Sequence, residues 1–204
     1  MFVGTKQILT THLDLSRNEL DDGDCILIAD VLLYKQTMQF LDLSYNRVGA
    51  RGMIRLCKAM KGHEHLKVLY MQHNRIGPAV GREMGVWLKN CQSIEVLDMS
   101  ANRMGELIQY PTSIERQRIK SAVRDIMQGV RNNRSLQMLD LSYNHLGPTC
   151  AGECLSVFGA MVIALWDWGG IGPAMSDSLC SLGLALSSIL FSVPYHVFTI
   201  PYTH

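Results

Sequence analysis

The chain has 204 residues, 48% hydrophobic and 18% charged, with a formal net charge of +1. That balance excludes intrinsic disorder, which needs low hydrophobicity and high net charge, and the bulk basic charge of a general nucleic-acid binder. The length suits one domain with a continuous core.

Charge is unevenly placed. All 19 Lys and Arg residues lie at or before Arg134, alongside 14 acids, and only four acids follow. A mixed-charge body therefore gives way to an apolar tail. No long apolar run opens the chain between Met1 and Leu20, so no secretory signal is expected. The six cysteines (Cys25, Cys57, Cys91, Cys150, Cys154, Cys180) are accordingly read as reduced core residues of a cytoplasmic protein.

The first predicted strand lies in HLDLSRNEL from His12, and four later segments align with it without gaps. They are FLDLSYNRVG from Phe40, VLYMQHNRIG from Val68, VLDMSANRMG from Val96 and MLDLSYNHLG from Met138. Their asparagines are Asn18, Asn46, Asn74, Asn102 and Asn144, at three intervals of 28 residues and one of 42, a repeat plus a 14-residue insertion. Apolar residues stand five before, three before and two after each Asn, as in Leu41, Leu43 and Val48. The alternation Leu41-Asp42-Leu43-Ser44 has period two, with Leu inward and Asp and Ser outward. Apolar residues then recur at helical spacing, as in Met53, Leu56, Cys57 and Met60, or Val80, Met84, Trp87 and Leu88. Pro78 and Pro148 suit the first position of such helices. A strand-helix unit cannot bury its own apolar face, so the copies must stack.

These motifs resemble the leucine-rich repeats, in particular the ribonuclease-inhibitor-like class. The resemblance covers roughly residues 8 to 158, about three quarters of the chain. It implies an α/β solenoid, curved, with a parallel sheet on the concave face and helices on the convex face. It further implies that Asn18, Asn46, Asn74, Asn102 and Asn144 form a structural ladder between repeats.

Outward positions of that sheet form three tracks. Between the two strand leucines stand Asp14, Asp42, Tyr70, Asp98 and Asp140, an acidic column broken by Tyr. Just before each Asn stand Arg17, Tyr45, His73, Ala101 and Tyr143; just after it stand Glu19, Arg47, Arg75, Arg103 and His145. Tyr and Arg dominate interface energetics, so the partner-binding residues are taken as Asp14, Arg17, Asp42, Tyr45, Tyr70, His73, Arg75, Asp98, Arg103, Asp140 and Tyr143. Asp and Ser there also suit a merely solvated face.

The insertion, about residues 107–134, reads as a lengthened convex-side helix. Thr112 and Glu115 match a capping box, Ile119, Val123, Ile126 and Val130 form an apolar stripe, and Arg116, Arg118, Lys120, Arg124 and Arg131 lie elsewhere. Residues 1–158 are thus assigned to the repeats and 159–204 to a degenerate last repeat or an apolar tail. Within the latter, Met161 to Pro173 reads as a sixth copy with Gly169 in place of Asn and Trp166 and Ile171 inward. The uncharged stretch from Ser178 to Phe191 leaves three readings open: a helical cap from Met175, a membrane-contacting segment, or a tail foreign to the repeat.

Candidate sites of chemistry are few. His63-Glu64-His65 is read as a solvated turn, and Cys150 and Cys154 as core, so no metal site and no cofactor are expected. No nucleophilic or paired-carboxylate arrangement appears, and no enzyme activity is expected. The expected function is a scaffold or adaptor binding another protein, not nucleic acid, on the concave face. The expected location is the cytoplasm, with cytoskeletal or axonemal association within its range. Two alternatives stand beside it. One is a GTPase activator of the Ran type, which the resemblance permits but no residue matches; the other is a membrane-associated repeat protein.

Overall fold

The computed structural model describes residues 11–105, 112–146, 150, 153–154 and 162–164. The chain divides between Gly169 and Gly170, and every described residue lies before that point. The predicted tail segments from Leu165 onward, Pro111 and Pro148 lie outside the described residues.

Six strands form one parallel sheet in chain order: β1 (His12–Asp14), β2 (Phe40–Asp42), β3 (Val68–Tyr70), β4 (Val96–Asp98), β5 (Met138–Asp140) and β6 (Val162–Ala164). Leu13, Leu41, Leu69, Leu97, Leu139 and Ile163 pair in one row across it. Backbone pairing continues past each strand, as in Leu43 N–H donating to Tyr70 O at 2.8 Å and Tyr45 N–H to Gln72 O at 2.9 Å. Period-two alternation turns Leu41, Leu43, Leu69, Met71, Leu97, Met99 and Leu139 into the core, where each is fully buried.

The last strand corrects the expected register. Setting Gly169 in the Asn place aligns Ala164 with Leu139, whereas the sheet pairs Ile163 with Leu139 and Ala164 with Asp140. Without an Asn signature nothing local fixes the register, and the β-branched pair Val162-Ile163 suits a strand better than Ala164.

Helices link the strands: α1 (Asp22–Tyr34), α2 (Ala50–Met60), α3 (Gly81–Asn90), preceded by a 3₁₀ turn at Pro78–Val80, and α4 (Ser113–Asn132). Pro78 opens its turn, where a missing amide hydrogen costs nothing. In α4 the capping box forms as expected: Thr112 N–H donates to Glu115 Oε2 at 2.7 Å, and Glu115 N–H to Thr112 Oγ1 at 3.2 Å. Its stripe of Ile119, Val123, Ile126 and Val130 is buried. α2 has no side-chain cap of its own. Asp22 of α1 supplies one, accepting from Gly49 N–H at 2.7 Å and Gly52 N–H at 2.8 Å, so one helix caps the next. α3 and α4 approach closely through glycine: a Cβ on Gly81 would fall on Ala122, on Gly85 on the carbonyl of Asp125, and on Gly129 on the carbonyl of Gly85.

Cys25, Cys57, Cys91, Cys150 and Cys154 are all buried and unbridged. Burial, reinforced by nearby acids, pushes the Cys25 thiol up to about 12, and burial raises Cys57 well above its ordinary value. Such thiols are not thiolates at neutral pH, and they act as small apolar residues.

His63 corrects a second expectation. Glu64 and His65 are exposed in the turn as expected, but His63 is only 3% exposed. Its Nδ1 accepts from Leu66 N–H at 3.2 Å, and its Nε2 donates to the Lys35 carbonyl of the preceding repeat at 3.0 Å. Asn133, five residues before β5 as His63 is before β3, does the same work. Its Oδ1 accepts from Leu136 N–H at 2.7 Å and its Nδ2 donates to Cys91 O at 2.6 Å. With Ser93 Oγ donating to His63 O at 3.1 Å, these contacts tie the helix-to-strand turns of neighbouring repeats together.

Burial lowers the His63 pKa below its ordinary 6.5, because the buried ring resists charging. The unfolded chain still takes up that proton at the ordinary value. The contribution of neutral His63 is therefore complete above pH 6.5 and is lost as pH falls from there through the folded value. Thermal melts between pH 7.5 and roughly 5 should show a falling midpoint, and the decline should be shallower in His63→Asn, which borrows the solution used at Asn133. Equal slopes in the two proteins would remove His63 as the cause.

Candidate functional site

The loops after the strands are set by the five asparagines. Asn46 Oδ1 accepts from Asn18 N–H at 2.9 Å and Leu20 N–H at 3.0 Å, while its Nδ2 donates to Leu15 O at 2.9 Å and Leu43 O at 3.0 Å. Asn74 accepts from Val48 N–H at 2.9 Å and donates to Leu43 O at 2.8 Å, and Asn102 accepts from Ile76 N–H at 3.0 Å and donates to Met71 O at 2.9 Å. Asn144 donates to Met99 O at 2.7 Å and accepts from Met104 N–H at 3.3 Å. Asn46, Asn74, Asn102 and Asn144 are buried, whereas Asn18, beside the sheet edge, is exposed and its Nδ2 donates to Ser16 O at 2.9 Å.

The acidic column has a local structural task. Asp14, Asp42, Asp98 and Asp140 each accept, through Oδ1, the amide two residues on, at 2.8 to 2.9 Å. These turns start the loops and engage one oxygen of each carboxylate. The Ser16 amide holds the Asp14 carboxyl below its usual range, whereas burial pushes the Asp98 carboxyl up. Tyr70, the break in the column, is half-buried, and burial raises its phenol.

The column before each Asn was visible as residue types but not as conformation. Arg17, Tyr45, His73, Ala101 and Tyr143 all have φ between 50° and 58°, the left-handed region that L-residues rarely enter. The first three stack: the Arg17 guanidinium lies 4.4 Å from the Tyr45 ring centroid, and the Tyr45 and His73 rings lie 4.3 Å apart at 15°. Tyr143 stands beyond Ala101, 55% exposed.

A further column escaped the sequence reading. His12, Phe40, Val68, Val96 and Met138 precede the acidic column by two residues, hence lie on the same face of the sheet. The last four are half-buried and apolar, so the face offers an apolar track beside the acids. His12 stacks on Phe40 at 5.6 Å, and Phe40 meets Tyr70 edge-on at 5.5 Å. Their period-two spacing from the acidic column is the signal for them in the sequence.

The structure thus brings Arg17, Tyr45 and His73 together, and sets Asp14, Asp42, Tyr70, Asp98 and Asp140 in a row across the strands. On the loop rim, Arg47 pairs with Glu19 at 3.1 Å. Arg75, Arg103, His73, Tyr143 and His145 surround a shallow depression of about 410 Å³ at Ala101. Among the described residues no group of three His, Cys, Asp or Glu side chains stands close enough to hold a metal ion. None of the helices among those residues is long and apolar enough to cross a membrane. The arrangement is suited to docking, with apolar and acidic tracks on the sheet and an aromatic and cationic rim in the loops that follow it.

The leucine-rich-repeat family profile matches residues 11–29, 34–57, 62–79 and 132–149. The copy around Asn102 falls outside those matches yet repeats the same strand pairing and ladder geometry. No curated protein matches the chain. Among solved structures, the chain is similar to one described as "Leiomodin-1 Actin-Binding Site 2 (ABS2)", with a TM-score of 0.54 and 10% sequence identity, over 90% of this chain and 89% of that one. At that identity the likeness concerns the fold, and it agrees with the profile. With the repeated strands, the asparagine ladder and the profile in accord, the chain is a leucine-rich-repeat protein with an α/β solenoid fold.

Proposed function

We propose that this protein is an adaptor that docks a protein partner on the exposed face of its sheet and the adjoining loop rim. The observation that carries this reading is the Arg17–Tyr45–His73 stack on the loop rim, together with the half-buried apolar track of Phe40, Val68, Val96 and Met138 on the adjoining sheet. Stacked Tyr and Arg side chains are rigid and lose little freedom on binding, and the apolar track supplies further area for a partner to bury. The solved structure to which the fold is similar is described as an actin-binding site, so filamentous actin is the first partner to test. A cytoplasmic, cytoskeleton-associated location belongs to the same proposal.

The test compares the full chain with a Tyr45→Ala/Arg75→Ala/Tyr143→Ala variant, both checked by circular dichroism, in actin co-sedimentation and affinity capture. The expected result is a partner held by the native chain and weakened at least about tenfold in the variant. Equal retention by the two proteins would overturn the sheet-face reading.

A further inference from the structure

The geometry points to an anion subsite in the loop rim: the depression at Ala101 receives an acidic side chain of the docked polypeptide, held by the guanidinium groups of Arg75 and Arg103. This rests on the sheet-face docking proposed above and specifies the chemistry of one contact within it.

The depression exists because one residue breaks the column. Arg17, Tyr45 and His73 fill successive places before the ladder asparagines, and Tyr143 fills the last, but Ala101 between His73 and Tyr143 has no side chain beyond Cβ. The space it leaves is walled by His73 and Tyr143 and rimmed by Arg75, Arg103 and His145, with no acidic residue among its described lining. Elsewhere on the rim the cation is already matched, since Arg47 pairs with Glu19 at 3.1 Å. Arg75 and Arg103 are exposed and enter no ion pair among the described residues.

Their positions are also fixed from below. Arg75 N–H donates to Val48 O at 2.9 Å and Arg103 N–H to Ile76 O at 3.0 Å, each beside a ladder asparagine. Two planar guanidiniums flanking a recess suit an oxyanion, which each can bind through paired N–H donors. A recess of about 410 Å³, walled by His73 and Tyr143 and rimmed by cations, fits a carboxylate projecting from a polypeptide better than the broad surface of a membrane. The carboxylate of Glu or Asp is therefore the ligand group.

Fluorescence anisotropy of a labelled hexaglutamate peptide against the full chain tests this, with hexaglutamine and phosphatidylserine vesicles as comparison probes. Two variants separate shape from charge. Ala101→Tyr projects a ring into the recess while keeping both arginines, and the backbone accepts it, since Tyr45 and Tyr143 hold the equivalent place at φ 55° and 54° against 50° for Ala101. Arg75→Gln/Arg103→Gln keeps the recess and removes the charge.

The expected result is hexaglutamate binding that weakens about tenfold in each variant, with negligible binding of hexaglutamine or vesicles. No hexaglutamate binding, or binding unchanged by Ala101→Tyr, would overturn the subsite. Vesicle binding with the same dependence on the variants would overturn it in favour of a lipid surface. A partner lost by the triple variant but indifferent to Ala101→Tyr would leave the docking face standing and remove only the subsite. Hexaglutamate binding of the expected pattern, with the captured partner unaffected by the triple variant, would show an anion-binding recess that the partner does not use and would overturn both readings.

Discussion

Replacing Asn74 by alanine should destabilise the protein by about 3–4 kcal/mol, an effect as large as the deletion of a core leucine. The side chain is 6% exposed, and it closes backbone bonds in two repeats. Its Oδ1 takes the Val48 amide, and its Nδ2 serves the carbonyls of Leu43 and Met71 at 2.8 and 3.1 Å. Alanine would leave the buried Val48 amide without that partner, where water cannot readily replace it. It would also take one of two side-chain donors from each of the Leu43 and Met71 carbonyls, which keep Asn46 and Asn102. An unmet buried polar group costs about 1–3 kcal/mol, more than the net value of the bond it once made. Asn18 supplies the internal control. Exposed beside β1, its side chain donates to Ser16 O, and Asn18→Ala should cost only about 1 kcal/mol. Urea titrations of the two variants would decide. Similar losses would mean that the ladder acts through local loop conformation, not through inter-repeat bonding.

Gly85→Ala should be comparably damaging, by about 3 kcal/mol or more, through overpacking. Its added methyl would fall on the Asp125 carbonyl, which is backbone within α4 and cannot swing aside as a flexible side chain would. Relief requires α3 and α4 to separate. That motion would also disturb the Gly81–Ala122 contact and draw Met84, Leu88, Ile126 and Val130 out of their packing. Gly62, in the turn after α2, has open space around the corresponding position, so Gly62→Ala should change stability by less than about 0.5 kcal/mol. Chemical denaturation of the pair is the measurement. A small loss for Gly85→Ala would show that the two helices slide apart without disturbing the core.

Much of this architecture was legible in the sequence because its determinants are local and repeated. Leu41, Leu43 and Asn46 announce strand, core and loop within six residues, and the spacing to Asn74 and Asn102 gives the register of β2, β3 and β4. The capping box at Thr112 and Glu115 was equally readable, since both partners lie within one helical turn. What was hidden depends on groups far apart in sequence. His63 looks polar and exposed until its partner, the carbonyl of Lys35 in the preceding repeat, is in place. The closeness of Gly85 to Asp125 belongs to two helices separated by a strand. On the docking face, the residue types were visible in columns, but the recess at Ala101 arises only when neighbouring loops are stacked. The left-handed conformation of Tyr45 and His73 was invisible because neither is Gly or Asn, the residues that normally announce it.

That conformation has a consequence for how the molecule trades durability against grip. Holding an ordinary L-residue at positive φ costs about 1 kcal/mol or more, and the column before the asparagines does so five times. The expense is met once, when the chain folds. A visiting ligand therefore encounters side chains whose backbone is already arrested in place, and little entropy remains to be lost on contact. Glycine at these sites would relax the backbone and favour a sturdier protein, but it would erase the side chains that give the rim its reach. The array can therefore be expected to fall short of its own best stability along the very edge where its most distinctive side chains are displayed.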